Sequence, residues 1–440
     1  MSLETPEKIR SLQTKLYAKA KAEPAYRFYL LYDKVYRDDI LAHAYRLARS
    51  NGGAPGVDGV RFKDIEASGL EEWLAGLRNE LRTETYKPQP VRRVMIPKPG
   101  GGERPLGIPT IRDRVAQTAA KLVLEPIFEA DLSDSAYGYR AGRSAQDAVG
   151  KVHRALCDGY TDVVDADLSK YFDSIPHDQL MLSVARRVSD GKMLKLVKAW
   201  LKTPVEETDE RGNRRMTGGK GSRKGTPQGG VISPLLANIY MNRYLRVFVE
   251  RGKDREFVAR LVNYADDFVI LSRGWAREAL EWTRRIMTAI GLSLNETKTC
   301  IRNGRKEHFD FLGYTFGPER HRKDGRWYLG AKPSKKAVRR LKEKVRAQLR
   351  NGNMDPLPDV VRALNRLLRG WANYFSHGST FVAYRSVDSH VYERMHNFLR
   401  RRHKVSTRGT RVFGWDRVFG TLGVTSLGAV RRGRTAVSLA

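Results

Sequence analysis

An α+β fold is expected for this chain, on three observations. Short apolar runs that read as strands alternate with amphipathic helical stretches up to about residue 316. The composition changes near Pro333, and the pattern beyond it is helical. The chain has 440 residues, 41% of them apolar, which is enough for roughly two to four domains with sizeable cores.

Residues 5–50 read as basic helix, with Tyr and Leu recurring at helical spacing through Tyr26–Tyr32 and Ala42–Ala48. The glycine-rich run Asn51–Gly59 is a turn-rich loop. Val91–Pro97 reads as a strand, Lys98–Arg104 as a hairpin connection and Leu106–Pro109 as the return strand. A helix is expected over Asp113–Ala130 and a strand over Thr161–Asp167. Ser233 is placed to cap a helix whose first position is Pro234, which runs to about Glu250 and stops at Gly252. Leu261–Ser272 reads strand–turn–strand, with Ala265, Asp266 and Asp267 at the turn. Ala279, Trp282, Ile286, Met287 and Ile290 share one face of a helix over Ala276–Ile290. Strands are expected at Lys298–Arg302 and Phe309–Phe316. Helices are expected over Ser334–Arg350, Asp359–Phe375 and Phe381–Arg402. After Asn397 the acids reduce to Asp416 against a run of arginines.

Lys and Arg number 81 against 49 Asp and Glu, a formal charge of +32, so the expected partner is a polyanion, nucleic acid before a membrane surface. No apolar run reaches the roughly 20 residues of a spanning helix. Met1–Tyr29 has no apolar signal core, which implies a cytoplasmic protein. Two cysteines, Cys157 and Cys300, are too few for a zinc cluster.

The chemistry concentrates in three acids. Adjacent Asp266 and Asp267 lie between two apolar half-strands, and Asp167 ends another strand. Two such strands side by side would gather carboxylates, hard ligands suited to Mg²⁺. Two ions roughly 3.5–4 Å apart activate an attacking hydroxyl and stabilise a leaving pyrophosphate, the chemistry of nucleotidyl transfer.

Asp167-Leu-Ser-Lys-Tyr-Phe172, Pro227-Gln-Gly-Gly-Val-Ile-Ser-Pro234 and Tyr264-Ala-Asp-Asp267 resemble, in order, the three central palm motifs of reverse transcriptases. Ile96–Pro109 resembles the fingers hairpin of that family and Phe311-Leu-Gly-Tyr314 its primer grip. Leu364–Phe375, ending Arg-Gly-Trp-Ala-Asn-Tyr-Phe375, resembles the maturase domain of group II intron-encoded proteins. The resemblance covers about residues 30–410. It implies a right-hand polymerase: an N-terminal extension and start of the fingers (1–84), fingers (85–155), a palm with an antiparallel sheet (156–320), an all-helical thumb or maturase domain (330–403) and a basic C-terminal tail (404–440) for DNA.

The implied activity is RNA-directed DNA polymerisation with two Mg²⁺ ions held by Asp167, Asp266 and Asp267. Lys98, Arg104, Phe172, Gln228, Gly229 and Lys298 are the implied deoxynucleotide contacts, with Phe172 as the steric gate against a ribose 2′-OH. A glycine at 229 would let the backbone approach the nascent base pair. Arg339, Lys342, Arg346, Arg400, Arg401 and Arg402 are the implied nucleic-acid contacts. The implied partners are structured intron RNA, an RNA template and a DNA primer or target, and the implied biology is intron splicing and mobility. A domesticated relative in defence or repair, and a maturase acting mainly by binding RNA, carry the same residues. No paired-cysteine motif follows Cys300, so no zinc-supported HNH endonuclease is expected and priming would use an existing 3′ end. Oligomeric state is not readable from the sequence.

Overall fold

The computed structural model describes residues 3–97, 102–209, 211–321, 324–406 and 412–437. Its strands, in chain order, begin with β1 (Val91–Pro97), β2 (Glu103–Ile108), β3 (Asp162–Asp167) and β4 (Pro204–Thr208). β5 (Arg214–Gly218), β6 (Ala259–Tyr264), β7 (Asp267–Ser272) and β8 (Cys300–Asn303) follow. β9 (Phe309–Phe311), β10 (Tyr314–Arg320) and β11 (Trp327–Pro333) complete the set. They make three sheets in the orders β2-β1-β4-β5, β6-β7-β3-β8 and β11-β10-β9.

The first sheet is built on the expected hairpin. β1 has the bounds the sequence implies, and β2 begins three residues earlier, because pairing continues through Ile96↔Arg104 and Pro97↔Glu103. Lys98 lies outside the described residues. The other edge of β1 takes β4 in parallel, and β4 returns antiparallel through β5.

The second sheet puts β3 between β7 and β8, both antiparallel to it. Side chains alternate across a strand, so its two faces bury different partners. Val164, Ala166, Phe268 and Ile270 join a core with the helices Ser233–Glu250 and Ala276–Ala289. Val163, Val269 and Leu271 join a second core with the helix Ala145–Cys157. Asp165, Asp167 and Asp267 continue this second face, where apolar residues give way to acids.

Several expectations are corrected. The basic helix of residues 5–50 is interrupted between Glu7–Ala22 and Asp38–Asn51, because Phe28 bridges to Val188 and the N–H groups of Leu31 and Tyr32 donate to the Asp190 carboxylate at 2.7 and 2.8 Å. Ser233 is the first helical residue and not the cap; its hydroxyl is buried and accepts from that of Thr226 at 2.7 Å. Phe309–Phe316 is not one strand. Leu312 and Gly313 turn through the left-handed region, φ +50° and +79°, and fold it into the β9–β10 hairpin.

The apolar cluster from Ile9 to Leu294 is continuous, so the expected divisions at 84/85 and 155/156 cut through one core. The helices Lys335–Gln348, Leu357–Tyr374 and Phe381–Arg402 form another. Phe413, Val418, Val424 and Leu427 belong to that same core, so residues 412–427 are part of the helical domain and not a separate tail. The buried Asp388 carboxylate accepts from the N–H groups of Leu427 (2.8 Å) and Gly428 (2.9 Å), capping the helix Leu427–Val437.

Candidate active site

The β3–β7 register sets Asp167 directly opposite Asp267. Asp266 sits on the turn between β6 and β7, beside Ala265 at φ +60°. That left-handed turn is held from below: Asn263, 1% exposed, donates its side-chain amide to the Ala265 carbonyl at 2.8 Å. Gly138 passes underneath, so close that a Cβ there would stand 2.5 Å from the Ala265 nitrogen.

Like charges crowd this end of the sheet. Asp267 is exposed, yet desolvation by the surrounding protein and the carboxylates of Asp266, Asp167 and Asp165 push its carboxyl up to about 7, against the pull of Lys298. Burial, with Asp167 and Asp310 nearby, pushes Asp165 to about 6, against the pull of Arg302. Sequence reasoning misses Asp165; its spacing two residues before Asp167 on a strand is the available signal. Lys298 stands 2.7 Å from Asp167 Oδ2, and that hydrogen bond raises its pKa. Asn295 donates to the same oxygen at 3.2 Å. Among the described residues no three such side chains converge tightly enough to enclose an ion as they stand. The donor set nevertheless fits a hard cation, because ionising Asp267 beside its neighbours needs more positive charge than Lys298 supplies.

The other implied nucleotide contacts surround this end. Gly229, φ +109°, lies against β2: the Gly107 N–H donates to the Gln228 carbonyl at 2.5 Å, and a Cβ on Gly229 would stand 2.2 Å from the Gly107 oxygen. The fingers hairpin therefore requires the glycine, for a reason other than the approach to a base pair that its motif implies. Arg104 lies on β2 within electrostatic reach of Tyr139, whose phenol is also acted on by Asp266 and Asp267. Phe172 is buried, edge-on to Tyr139 and Tyr171.

The implied nucleic-acid residues divide. Arg339 and Arg346 are exposed. Lys342 is half-buried and donates to Ser386 at 2.8 Å. Arg401 is tied to Asn351, and Arg402 donates to the Asp355 carbonyl at 2.8 Å, so both brace the loop between two helices. Arg400 is half-buried nearby.

The structure adds a groove of about 740 Å³ between the helices Lys335–Gln348 and Leu357–Tyr374 and the β9–β10 turn. Lys336, Arg340 and Lys344 line it from one helix and Arg366 from the other, over Trp371 and Tyr374. None of these four cations has an ion pair among the described residues. Trp371 Nε1 and Arg340 Nε are buried without a hydrogen-bond partner among the described residues. The i, i+4, i+8 spacing of Lys336, Arg340 and Lys344 is visible in the sequence, on a different face from Arg339, Lys342 and Arg346.

Residues 96–316 match the family model described as reverse transcriptase (RNA-dependent DNA polymerase), and residues 338–413 the group II intron maturase-specific domain. Protein YkfC of Escherichia coli K12 is 35% identical over 366 residues, covering 75% of this chain and 93% of that protein. The group II intron-encoded protein LtrA of Lactococcus lactis is 28% identical, over 80% of this chain and 71% of LtrA. A COX1/OXI3 intron 1 protein of Saccharomyces cerevisiae is 29% identical over 63% of this chain, which spans 38% of that longer protein.

Proposed function

This chain belongs to the reverse transcriptase (RNA-dependent DNA polymerase) family and carries the group II intron maturase-specific domain, and from that premise we propose where its chemistry resides. It is an RNA-directed DNA polymerase of the group II intron type. Its catalytic carboxylates are Asp167, Asp266 and Asp267. The observation that carries this assignment is the register of β3 on β7, which faces Asp167 with Asp267 at the turn that bears Asp266.

Members of the family use divalent metal ions; here the three aspartates would hold two Mg²⁺. Such ions, when bound, supply Lewis-acid activation of a primer 3′-hydroxyl and charge neutralisation of the leaving pyrophosphate. The chain's own groups do the rest. Arg104 presents a guanidinium, suited to bidentate phosphate contact, from the hairpin that Gln228 and Gly229 fasten to the palm. Lys298 keeps its proton at Nζ beside Asp167 and holds that carboxylate in place. The groove of Lys336, Arg340, Lys344 and Arg366, opening beside the β9–β10 turn, grips the phosphate backbone of the primer–template duplex.

The same groove favours a second, compatible role, binding structured intron RNA as a maturase. Its exposed cations, Lys336, Lys344 and Arg366, suit the phosphates of any folded polynucleotide. Primer extension on an RNA template with deoxynucleotides and Mg²⁺, wild type against Asp266→Ala, tests the assignment. Extension that disappears in the variant supports it, and extension that persists at the wild-type rate rejects it.

A further inference from the structure

The residue in the steric-gate position of the sequence is not the ring that faces solvent. Phe172 is 7% exposed and belongs to the core that fills the palm. In front of it stands Tyr139, 49% exposed, its ring 6.4 Å from that of Phe172 and nearly perpendicular to it. Its neighbour Gly138 packs against Ala265, so the exposed ring stands beside the aspartate turn and in front of Phe172.

The backbone supports a positional role. Tyr139 has φ +56°, a conformation that a bulky aromatic residue adopts only under constraint. The constraint is visible on both sides. Gly138 fits under Ala265 only because it has no Cβ, and its carbonyl accepts from the Asn238 side chain at 2.7 Å. Tyr137 donates its N–H to the Asn263 carbonyl at 2.9 Å, on the strand leading into the aspartate turn. The Arg140 guanidinium binds the Glu129 carboxylate at 2.6 Å and the carbonyls of Ser133 and Ala136 at 2.7 and 2.8 Å. A strained aromatic residue fixed from both neighbours, with its ring left in the open, is placed for contact and not for packing.

We propose that Tyr139 forms the exposed wall of the pocket that receives the incoming nucleotide's sugar, and that it, backed by Phe172, sets the choice between deoxyribose and ribose. The proposal rests on the polymerase assignment above and deepens it. The wall acts by shape: a 2′-hydroxyl pointing at the ring has neither room nor a hydrogen-bond partner on its face.

The test is single-nucleotide incorporation opposite an RNA template, with kcat and KM measured separately for a deoxynucleotide and the matching ribonucleotide. Tyr139→Phe keeps the wall and is expected to keep the wild-type preference. Tyr139→Gly removes the ring and relieves the left-handed strain, so it does not misfold for a backbone reason. Its preference for deoxynucleotide in kcat/KM is expected to fall about tenfold or more. A Tyr139→Gly preference equal to wild type, whether or not overall activity drops, overturns the proposal; so does a shift seen only in Phe172→Ala. A wild type that incorporates neither nucleotide overturns the polymerase assignment itself, and this proposal with it.

Discussion

At the end of the palm sheet four carboxylates, Asp165, Asp167, Asp266 and Asp267, meet the ammonium of Lys298 and, through Asp165, Arg302. In the groove of the helical domain the signs are reversed: Lys336, Arg340, Lys344 and Arg366 share the lining with one acid, Asp310. Both regions leave like charges uncompensated, but on different scales. The palm acids crowd one strand end, where charges raise each other's ionisation cost and one small cation addresses them together. The groove cations are spread along two helices and suit a chain of phosphates met one at a time. The difference teaches where each function is concentrated. In the palm it rests on single oxygens. In the groove it is a sum over several cations, and no one residue decides it.

The contrast breaks first at the palm. Asp167→Ala should reduce single-turnover nucleotide incorporation by about a thousandfold or more, because charge stabilisation at the reacting atoms is lost. RNA affinity by filter binding should stay within a factor of about two. A large fall in affinity would mean that the acids shape the RNA surface too.

Neutralising Lys336, Arg340, Lys344 and Arg366 together should lower RNA affinity by about tenfold or more. It should also flatten the salt dependence by up to about 0.7–0.9 of slope for each phosphate that a cation no longer neutralises. Titrations across ionic strength check this, and an unchanged slope removes the groove from the interface. A smaller effect is expected where the two halves of the polymerase site meet. Gly229→Ala drives a methyl into the Gly107 carbonyl and should cost about 2–3 kcal/mol, read by thermal unfolding, with nucleotide KM rising as the hairpin shifts.

Asp388→Ala should destabilise the helical domain by about 1–2 kcal/mol through the missing cap, seen as an earlier unfolding step with incorporation preserved on short primers.

The smallest effect is a slope with pH. Asp267 is held at about 7, above the ordinary carboxylate value of about 4, so the folded state keeps a proton that the unfolded chain releases. Stability without metal should therefore decline as pH rises from about 4 to about 7 and level off above. Asp267→Asn should flatten that decline in melts across the range; an identical slope in the variant would show that other groups cause it.

Much of this was legible in the sequence where a segment's burial follows its own pattern. The alternating and apolar runs around Asp167 and Asp267 indicate β3, β6 and β7 to within a residue or two, and with them the three acids. What escaped was decided by distant partners. β4 and β5 carry Glu206, Glu207, Arg214 and Arg215, and no strand is expected there; β4 becomes a strand by pairing with the free edge of β1, and β5 by pairing back on β4. Residues 412–427 look like a basic tail because they follow a run of arginines with few acids, yet Phe413, Val418 and Leu427 suffice to dock them. Tyr139 could not be read as exposed and strained, since its conformation is imposed by Gly138 beneath Ala265, far away in sequence.

Chemistry in the palm and grip in the groove are separable, and one paired measurement addresses this. Nucleotide incorporation and RNA affinity are measured on the same preparations of wild type, Asp266→Ala and the four-cation groove variant. Asp266→Ala is expected to lose incorporation and keep affinity, while the groove variant loses affinity and, with primer–template at saturating concentration, keeps most of its incorporation rate. Parallel loss of both properties in both variants would contradict the separation.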